Sequence, residues 1–261
     1  GMPIAILNKP GAGGRVGWNW LATQAEADGY TLGAYNIPHF IAQSIEGGVE
    51  YSAASFEPIA NWGADPAVLI VGADSPFNSL QDVVDYAKAN PGKLTTSGAG
   101  LYVGHHIAVL QMEKAGDMKM AYIPTKGGGA AAMKAVIAGD MMAGVNNLSD
   151  AYRAAEAGNV KILAVADLER NSFLPDVPTM KEAGLDVDNA SVNFRGVMVP
   201  KGTPQEIIDK LAAVVPAMFA HKSVASKMEA GGSPMHIMNR EEVQAMWAAR
   251  EKTLTELLAG L

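Results

Sequence analysis

The sequence predicts an α/β protein built from strand–helix–strand units, and three observations carry that reading. Short apolar runs alternate with helix-length segments across residues 93–166, the pattern of parallel βαβ units with helices on both faces of a sheet. The run Ala67-Val68-Leu69-Ile70-Val71 is apolar without alternation, as in a strand buried on both faces. A glycine-rich turn occurs twice, as Gly11-Ala12-Gly13-Gly14-Arg15-Val16-Gly17 and Gly98-Ala99-Gly100-Leu101-Tyr102-Val103-Gly104, each between an apolar segment and a helical one. A strand that turns through glycines into a helix aims unpaired N–H groups and the positive end of the helix dipole at one spot, where an anion is the natural guest. Two such turns in the two halves of one chain are expected to close on a single ligand. The alternative is that each is a tight packing turn that needs positive φ.

The elements follow in order. Residues 3–7 read as a strand and 16–28 as a helix stopped by Asp28-Gly29. Strand 31–35 breaks at Asn36-Ile37-Pro38-His39, where a helix start is expected, and strands 59–62 and 67–71 come next. Ser79 caps a helix that Asn90-Pro91-Gly92 stops. Strand 93–97 leads to helix 104–115, strand 119–123 to helix 128–138, strand 141–145 to helix 149–157, and strand 161–166 to a proline-rich connector. Val197-Met198-Val199 is the last strand, followed by helices 204–220, 223–230 and 240–258. Ligands of parallel sheets sit at the carboxyl ends of the strands, so turns 97–104, 124–129 and 146–149 should gather on one rim, and turns 8–14 and 36–39 on another.

Composition narrows the function. A length of 261 residues fits one large or two medium domains, and 49% hydrophobic residues supply a sizeable core. A net charge of −7 argues against an electrostatic grip on nucleic acid, while leaving a small anionic ligand open. The chain has no cysteine, which excludes thiol catalysis, disulfides and cysteine-ligated metals. His105 and His106 are neighbours on a helix, point about 100° apart and do not ligate one ion together. The turn spacing G-x-G-x-x-x-G is one residue longer than the dinucleotide fingerprint, and no Lys-Ser/Thr follows it as in a phosphate loop. Neither a metal nor another cofactor is expected.

The candidate binding residues lie at the turns. Backbone N–H groups around Gly98, Gly100 and Gly104 would cradle a carboxylate, with Ser97 and Tyr102 adding hydroxyls. Thr125, Lys126 and Gly127 open a second helix, where Lys126 offers a point charge, and the amides of Asn146 and Asn147 end a strand on the same rim. Asn36 and His39 hold the corresponding place in the first part of the chain. Arg195 is either a bidentate carboxylate clamp or an ion pair between the two halves. No G-x-S-x-G elbow, zinc motif or carboxylate pair marks a catalytic centre, and Ser97 with His105 or His106 is a nucleophile–base pair without a third member. A non-catalytic receptor is therefore expected, with a cytoplasmic small-molecule sensor and a hydrolase as alternatives.

One ordered set of motifs goes further. Asn8-Lys9-Pro10-Gly11-Ala12-Gly13-Gly14, Asp28-Gly29-Tyr30-Thr31-Leu32, Ala89-Asn90-Pro91-Gly92-Lys93-Leu94, Tyr122-Ile123-Pro124-Thr125-Lys126-Gly127, Leu174-Pro175-Asp176-Val177-Pro178-Thr179 with Glu182-Ala183-Gly184, and Val199-Pro200-Lys201-Gly202-Thr203-Pro204 resemble, in this order, the solute-binding proteins of tripartite tricarboxylate transporters, the Bug or TctC family. The resemblance implies a type II periplasmic-binding-protein fold: two α/β lobes, each a sheet flanked by helices, joined by two crossing strands with the ligand between them. The crossings would be 68–72 and 196–199, with lobe 1 at 1–72 and 198–261 and lobe 2 at 73–197. It implies a small carboxylate as ligand (a di- or tricarboxylate, an acidic amino acid or an aromatic acid), membrane permease subunits as partners, no nucleic acid, and an extracytoplasmic location. Members of that family begin with a further strand, glycine turn and helix ahead of the segment at 3–7, so weaker binding than in a longer relative is expected.

Overall fold

A computed structural model describes residues 3–259. It holds two sheets. The first has the strands β1 (Gly33–Ile37), β2 (Phe56–Asp65), β8 (Asn193–Pro200) and β9 (Met235–Met238) in the order β1-β8-β2-β9. The second has β3 (Ala67–Gly72), β4 (Thr95–Gly98), β5 (Ala121–Pro124), β6 (Ala143–Asn147) and β7 (Val160–Ala166) in the order β5-β4-β6-β3-β7. Helices α1 (Arg15–Thr23), α2 (His39–Glu46), α7 (Gln205–Phe219), α8 (Lys222–Ala230) and α9 (Arg240–Leu258) go with the first sheet by sequence and packing. The second sheet carries α3 (Leu80–Ala89), α4 (Gly104–Gly116), α5 (Gly128–Ile137) and α6 (Leu148–Glu156).

The expected parallel units are present where the alternation was plainest: β4 runs parallel to both β5 and β6. Elsewhere the expectation of parallel sheets is corrected. β3 pairs antiparallel with β6 and β7, and every pairing of the first sheet is antiparallel. The cause is connectivity: β3 is entered straight from β2 through Pro66, without a helical crossover to reverse its direction. The five-residue apolar run of β3 splits its side chains between two cores. Ala67, Leu69 and Val71 pack with α3 and α4, while Val68 and Ile70 pack with Met133, Val136 and Leu148 of α5 and α6. A strand sandwiched between two helix layers is apolar on both faces, which is why alternation is absent.

The crossings also shift. β3 belongs wholly to the second sheet and β8 wholly to the first, so the chain changes sheet at Asp65-Pro66-Ala67 and again within 167–192, not at 68–72 and 196–199. Pro66 has no N–H to give a ladder, and it stands where one ladder stops and the other begins.

Aromatic residues fill the first core. Trp247 of α9 meets Tyr35 and Phe40 edge-on at ring separations of 5.2 and 4.9 Å, and Phe40 meets Phe56 at 6.0 Å. Ile107 and Leu110 of α4 join this same cluster, so the second half of the chain contributes to the core of the first. Two further expectations fail. Residues 3–7 form no strand, and Ile4, Ile6 and Leu7 are 88%, 86% and 74% exposed; an apolar run without an edge to pair with does not become a strand. The first helix stops at Thr23, whose hydroxyl donates back to Asn19 O, and not at Asp28.

Candidate functional site

Helices α4, α5 and α6 each follow a strand of the parallel set, which brings their N-termini to one rim. The point where a side chain would start at Gly129, in the first turn of α5, lies 2.9 Å from Asn146 Oδ1, 3.2 Å from Asp150 Oδ2 of α6 and 3.5 Å from His105 Cε1 of α4. The N-terminus of α2 joins them from the other sheet. His39 Cε1 is 3.6 Å from the corresponding point on Gly104, the first residue of α4. None of these four helices has a side-chain cap, whereas α3, α8 and α9, which start elsewhere, are capped by Ser79, His221 and Asn239. The first turns of α2, α4 and α5 thus face a common region between the sheets without a side-chain cap, while in α6 Leu148 N–H is given to Pro66 O and Ser149 N–H to Asp65.

The two glycine turns meet across that region. The Gly13 Cα lies 4.0 Å from the point where a side chain would start at Gly100, and Val103 Cγ1 is 3.4 Å from that point on Gly13. Gln43 Nε2 holds the first turn by donating to Gly13 O at 3.1 Å. The halves also touch where Arg153 Nε of α6 donates to Gly231 O at 3.2 Å.

The second turn is not the open N–H cradle that its sequence implies. Ala99 N–H donates to His105 Nδ1 at 3.0 Å, and Tyr102 N–H donates to His106 Nδ1 at 3.1 Å. Each histidine therefore acts as an acceptor that closes the turn, and each must be neutral to do so. Burial drives the pKa of His105 down to about 4, with Arg195 helping and a hydrogen bond to Asn147 opposing. Burial likewise lowers His106 to about 4, and its ring stacks on Tyr122 at 4.5 Å. The N–H groups left for another guest are those of the first turn of α4.

The other sequence candidates divide. Ser97 is corrected: it is fully buried and its hydroxyl donates to Ala132 O at 3.0 Å, so it faces the core and is no nucleophile for His105. Gly98 is the acceptor for Thr125 N–H and lies against Tyr122, whose hydroxyl donates to Gly100 O at 2.8 Å. The Thr125 hydroxyl is 3.0 Å from both Gly98 O and Gly128 O and serves the turn. Lys126 and Gly127 are exposed at the start of α5. Tyr102, at φ 57°, packs against the aromatic core of the first sheet; burial and a hydrogen bond to Glu46 raise its pKa. Asn146 is fully buried and donates to Gly129 O at 3.0 Å, while Asn147 is half-buried at the start of α6.

Asn36 and Arg195 are cross-strand partners on β1 and β8. Asn36 Nδ2 donates to Asn193 Oδ1 at 3.1 Å, and Arg195 Nη2 sits 2.7 Å from Asp65 Oδ2. His39 is half-buried, with its Nδ1 shielded from solvent and without a hydrogen-bond partner. Burial first, then the fields of His105 and Arg195, lower its pKa to about 3.

Sequence reasoning missed Asp65, the residue that organises the junction. It is 1% exposed, pairs with Arg195, and accepts from Ser149 N–H at 3.1 Å and from the Ser149 hydroxyl at 2.5 Å in the first turn of α6. The available signal was an acid directly before a proline between two apolar strands. Among the described residues no group of three or more histidines, cysteines or carboxylates could hold a metal, and no helix is long and apolar enough to cross a membrane.

Known proteins share this fold. The family model described as the tripartite tricarboxylate transporter family receptor matches residues 1–258. A protein of Pseudomonas sp. strain P51, from the tcbD-tcbE intergenic region, is 29% identical over 243 residues, or 90% of this chain and 71% of that protein. Protein BugT of Bordetella pertussis is 28% identical over 251 residues, covering 95% of this chain and 76% of its own. The structure of the periplasmic binding protein BugD superposes with a TM-score of 0.86 at 28% identity, covering 97% of this chain and 85% of that one. The chain belongs to the tripartite tricarboxylate transporter receptor family, and its fold is the two-lobed type II form of the periplasmic binding proteins.

Proposed function

We propose that this protein is an extracytoplasmic receptor that captures a small carboxylate between its lobes and delivers it to a membrane permease. The observation that carries the reading is the meeting, at one region between the sheets, of the first turns of α2, α4 and α5, none of which has a side-chain cap. Such ends favour an anion by dipole and by N–H donation. The first turn of α4 from Gly104, with Gly100 and Tyr102 before it, is the proposed carboxylate seat. Thr125, Lys126 and Gly127, the amides of Asn146 and Asn147, and Gly98 frame it from the second lobe. Asn36, His39 and Arg195 would close on the ligand from the first.

Arg195 is already paired with Asp65, so the local charge is balanced and the ligand anion depends chiefly on the helix ends. Two Rhodopseudomonas palustris proteins of the same fold, 24% and 23% identical, are known with adipate and with malate bound. At that distance they speak for the fold, and the carboxylate class comes to this chain as part of the proposal. A ligand that bridges both lobes stabilises the closed state only by its greater affinity for that state.

The test is a thermal-shift screen of mono-, di- and tricarboxylates, acidic amino acids and aromatic acids, followed by calorimetric titration and by NMR of the ligand after incubation. A raised midpoint with one class and an unaltered ligand is expected. A folded protein with no shift across the panel, or one that converts the ligand, would overturn the reading.

A further inference from the structure

The first sheet is open on one side. β1 is its end strand and pairs with β8 alone, so the other edge of β1 has no strand beside it. Such an edge is a template for another chain unless charge, proline or a covering element blunts it. Here the cover is incomplete. Trp18 Nε1 donates to Ala34 O at 3.0 Å, and both residues line a groove of about 360 Å³ together with Ile4, Leu7, Leu21 and Leu32. The groove keeps residues 3–7 from the edge, and that run makes no backbone hydrogen bond to another described residue. Lys9, the one charged residue among the described lining, rests on Trp20 with Nζ 4.0 Å from the ring centre. Ile4, Ile6, Leu7 and Tyr30 are 88%, 86%, 74% and 92% exposed, and Leu32 is 42% exposed. These five residues present on the order of 800 Å² per copy, the share that one partner gives to a specific interface and more than a monomer usually shows in one apolar patch.

We propose that the occupant of this groove is a second copy of the chain, which lays its residues 3–7 there while its own groove receives the same run in return. A two-fold axis between the two runs gives the strand order β1, the second copy's 3–7, the first copy's 3–7, the second copy's β1. Both grooves are then filled, both open edges are paired, and the contact closes at two copies. Main-chain pairing supplies affinity, and the side chains that point into the groove supply fit. The occupant must be extended, apolar and uncharged, as Ile4-Ala5-Ile6-Leu7 is. A net charge of −7 opposes self-association over the surface at large, but no acid is among the described residues lining this groove. The inference stands apart from the carboxylate reading, whose seat lies between the two sheets and not at the open edge of the first.

The experiment is sedimentation velocity of the 261-residue chain from low to high micromolar concentration. The mass should rise from 27.3 kDa toward twice that value. Ile4→Asp puts a charge into the second copy's groove and should weaken dimerisation at least about tenfold. Val214→Asp, at an exposed position of α7, should leave it within about twofold of wild type. Both positions are exposed, so neither variant is expected to unfold, and circular dichroism checks this. Because the chain has no cysteine, Ala5→Cys reports the contact directly. The axis sets the middle of one run against the middle of the other, so oxidation should join the copies covalently, while Val214→Cys should not. A monomer at every concentration overturns the proposal and leaves the groove to a strand from another protein or from a longer form of this chain. A dimer indifferent to Ile4→Asp, or one whose Ala5→Cys copies stay unlinked, overturns it as well, because its interface then lies elsewhere.

Discussion

Arg195 Nη2 lies 2.7 Å from Asp65 Oδ2, joining β8 to the last residue of β2 immediately before the chain passes into the other lobe. The partners are not equivalent, since the Asp65 side chain is 1% exposed and that of Arg195 is 21% exposed. Arg195→Ala leaves a buried carboxylate without its counter-charge, a loss of about 3–5 kcal/mol. Asp65→Asn keeps an acceptor for Ser149 N–H and leaves the arginine a path to water, so it should cost less. Burial raises the Asp65 pKa while Arg195 and Ser149 pull it down. Without Arg195 the folded pKa climbs further above the unfolded one. The folded state then binds the extra proton, and the Arg195→Ala deficit grows as pH rises through that folded pKa. Urea unfolding at pH 5 and pH 8 measures both effects; a costlier Asp65→Asn, or a deficit that shrinks with pH, would contradict this account.

Ser97 is expected to be uncoupled from the proposed ligand. Its hydroxyl is committed to Ala132 O in the core between β4 and α5. Ser97→Ala should cost about 1 kcal/mol of stability and leave carboxylate affinity within about twofold of wild type. Melting and titration on the same preparation separate these readouts, and a tenfold loss of affinity at unchanged stability would return Ser97 to the site.

Gly98 and Tyr122 are fitted to each other. A methyl group at Gly98 would stand 2.2 Å from Tyr122 Oη and 2.7 Å from its Cε2. Gly98→Ala must therefore displace the ring, break its hydrogen bond to Gly100 O and disturb its stack on His106. A loss of about 1–3 kcal/mol is expected from the overpacking. In a Tyr122→Leu background the same substitution should cost clearly less, because residues in contact do not add. Additive costs in the double variant would rule out the steric explanation.

How much of this was legible from the sequence differs by element. Ser79 gave the start of α3, and in the structure it forms both halves of a capping box with Asp82. The strand–helix alternation gave β4 to α6 within a few residues, because each boundary carries a local signal in glycine, proline or asparagine. The fate of residues 3–7 depended on whether a strand edge was available, and β9 was missed because Met235 to Met238 has no alternation to betray it. The approach of the two glycine turns to each other was legible, but their N–H accounting was not. That Ala99 and Tyr102 give their N–H groups to His105 and His106 depends on how the first turn of α4 folds back on the loop. Asp65 escaped notice because its partners, Ser149 and Arg195, are 84 and 130 residues away in sequence.

The same fold-back makes stability depend on pH. His105 is buried against Ala99 N–H, the Asn147 side chain, the first turn of α5 and the field of Arg195, and its folded pKa is about 4 against an ordinary 6.5. Between those values the unfolded chain takes up a proton that the folded chain refuses. The contribution is complete above pH 6.5 and is lost as pH falls toward 4, by on the order of 3 kcal/mol for this one group. His106, at about 4, and His39, at about 3, act in the same direction. Stability should therefore fall steeply on acidification from pH 7 to pH 4.5. His105→Gln keeps an acceptor for Ala99 N–H but cannot titrate, so it should start less stable or equal at pH 7 and lose less on acidification. Denaturant midpoints across that range decide the matter: parallel curves for wild type and variant would mean that the proton goes elsewhere and that His105 does not close the turn as a neutral acceptor.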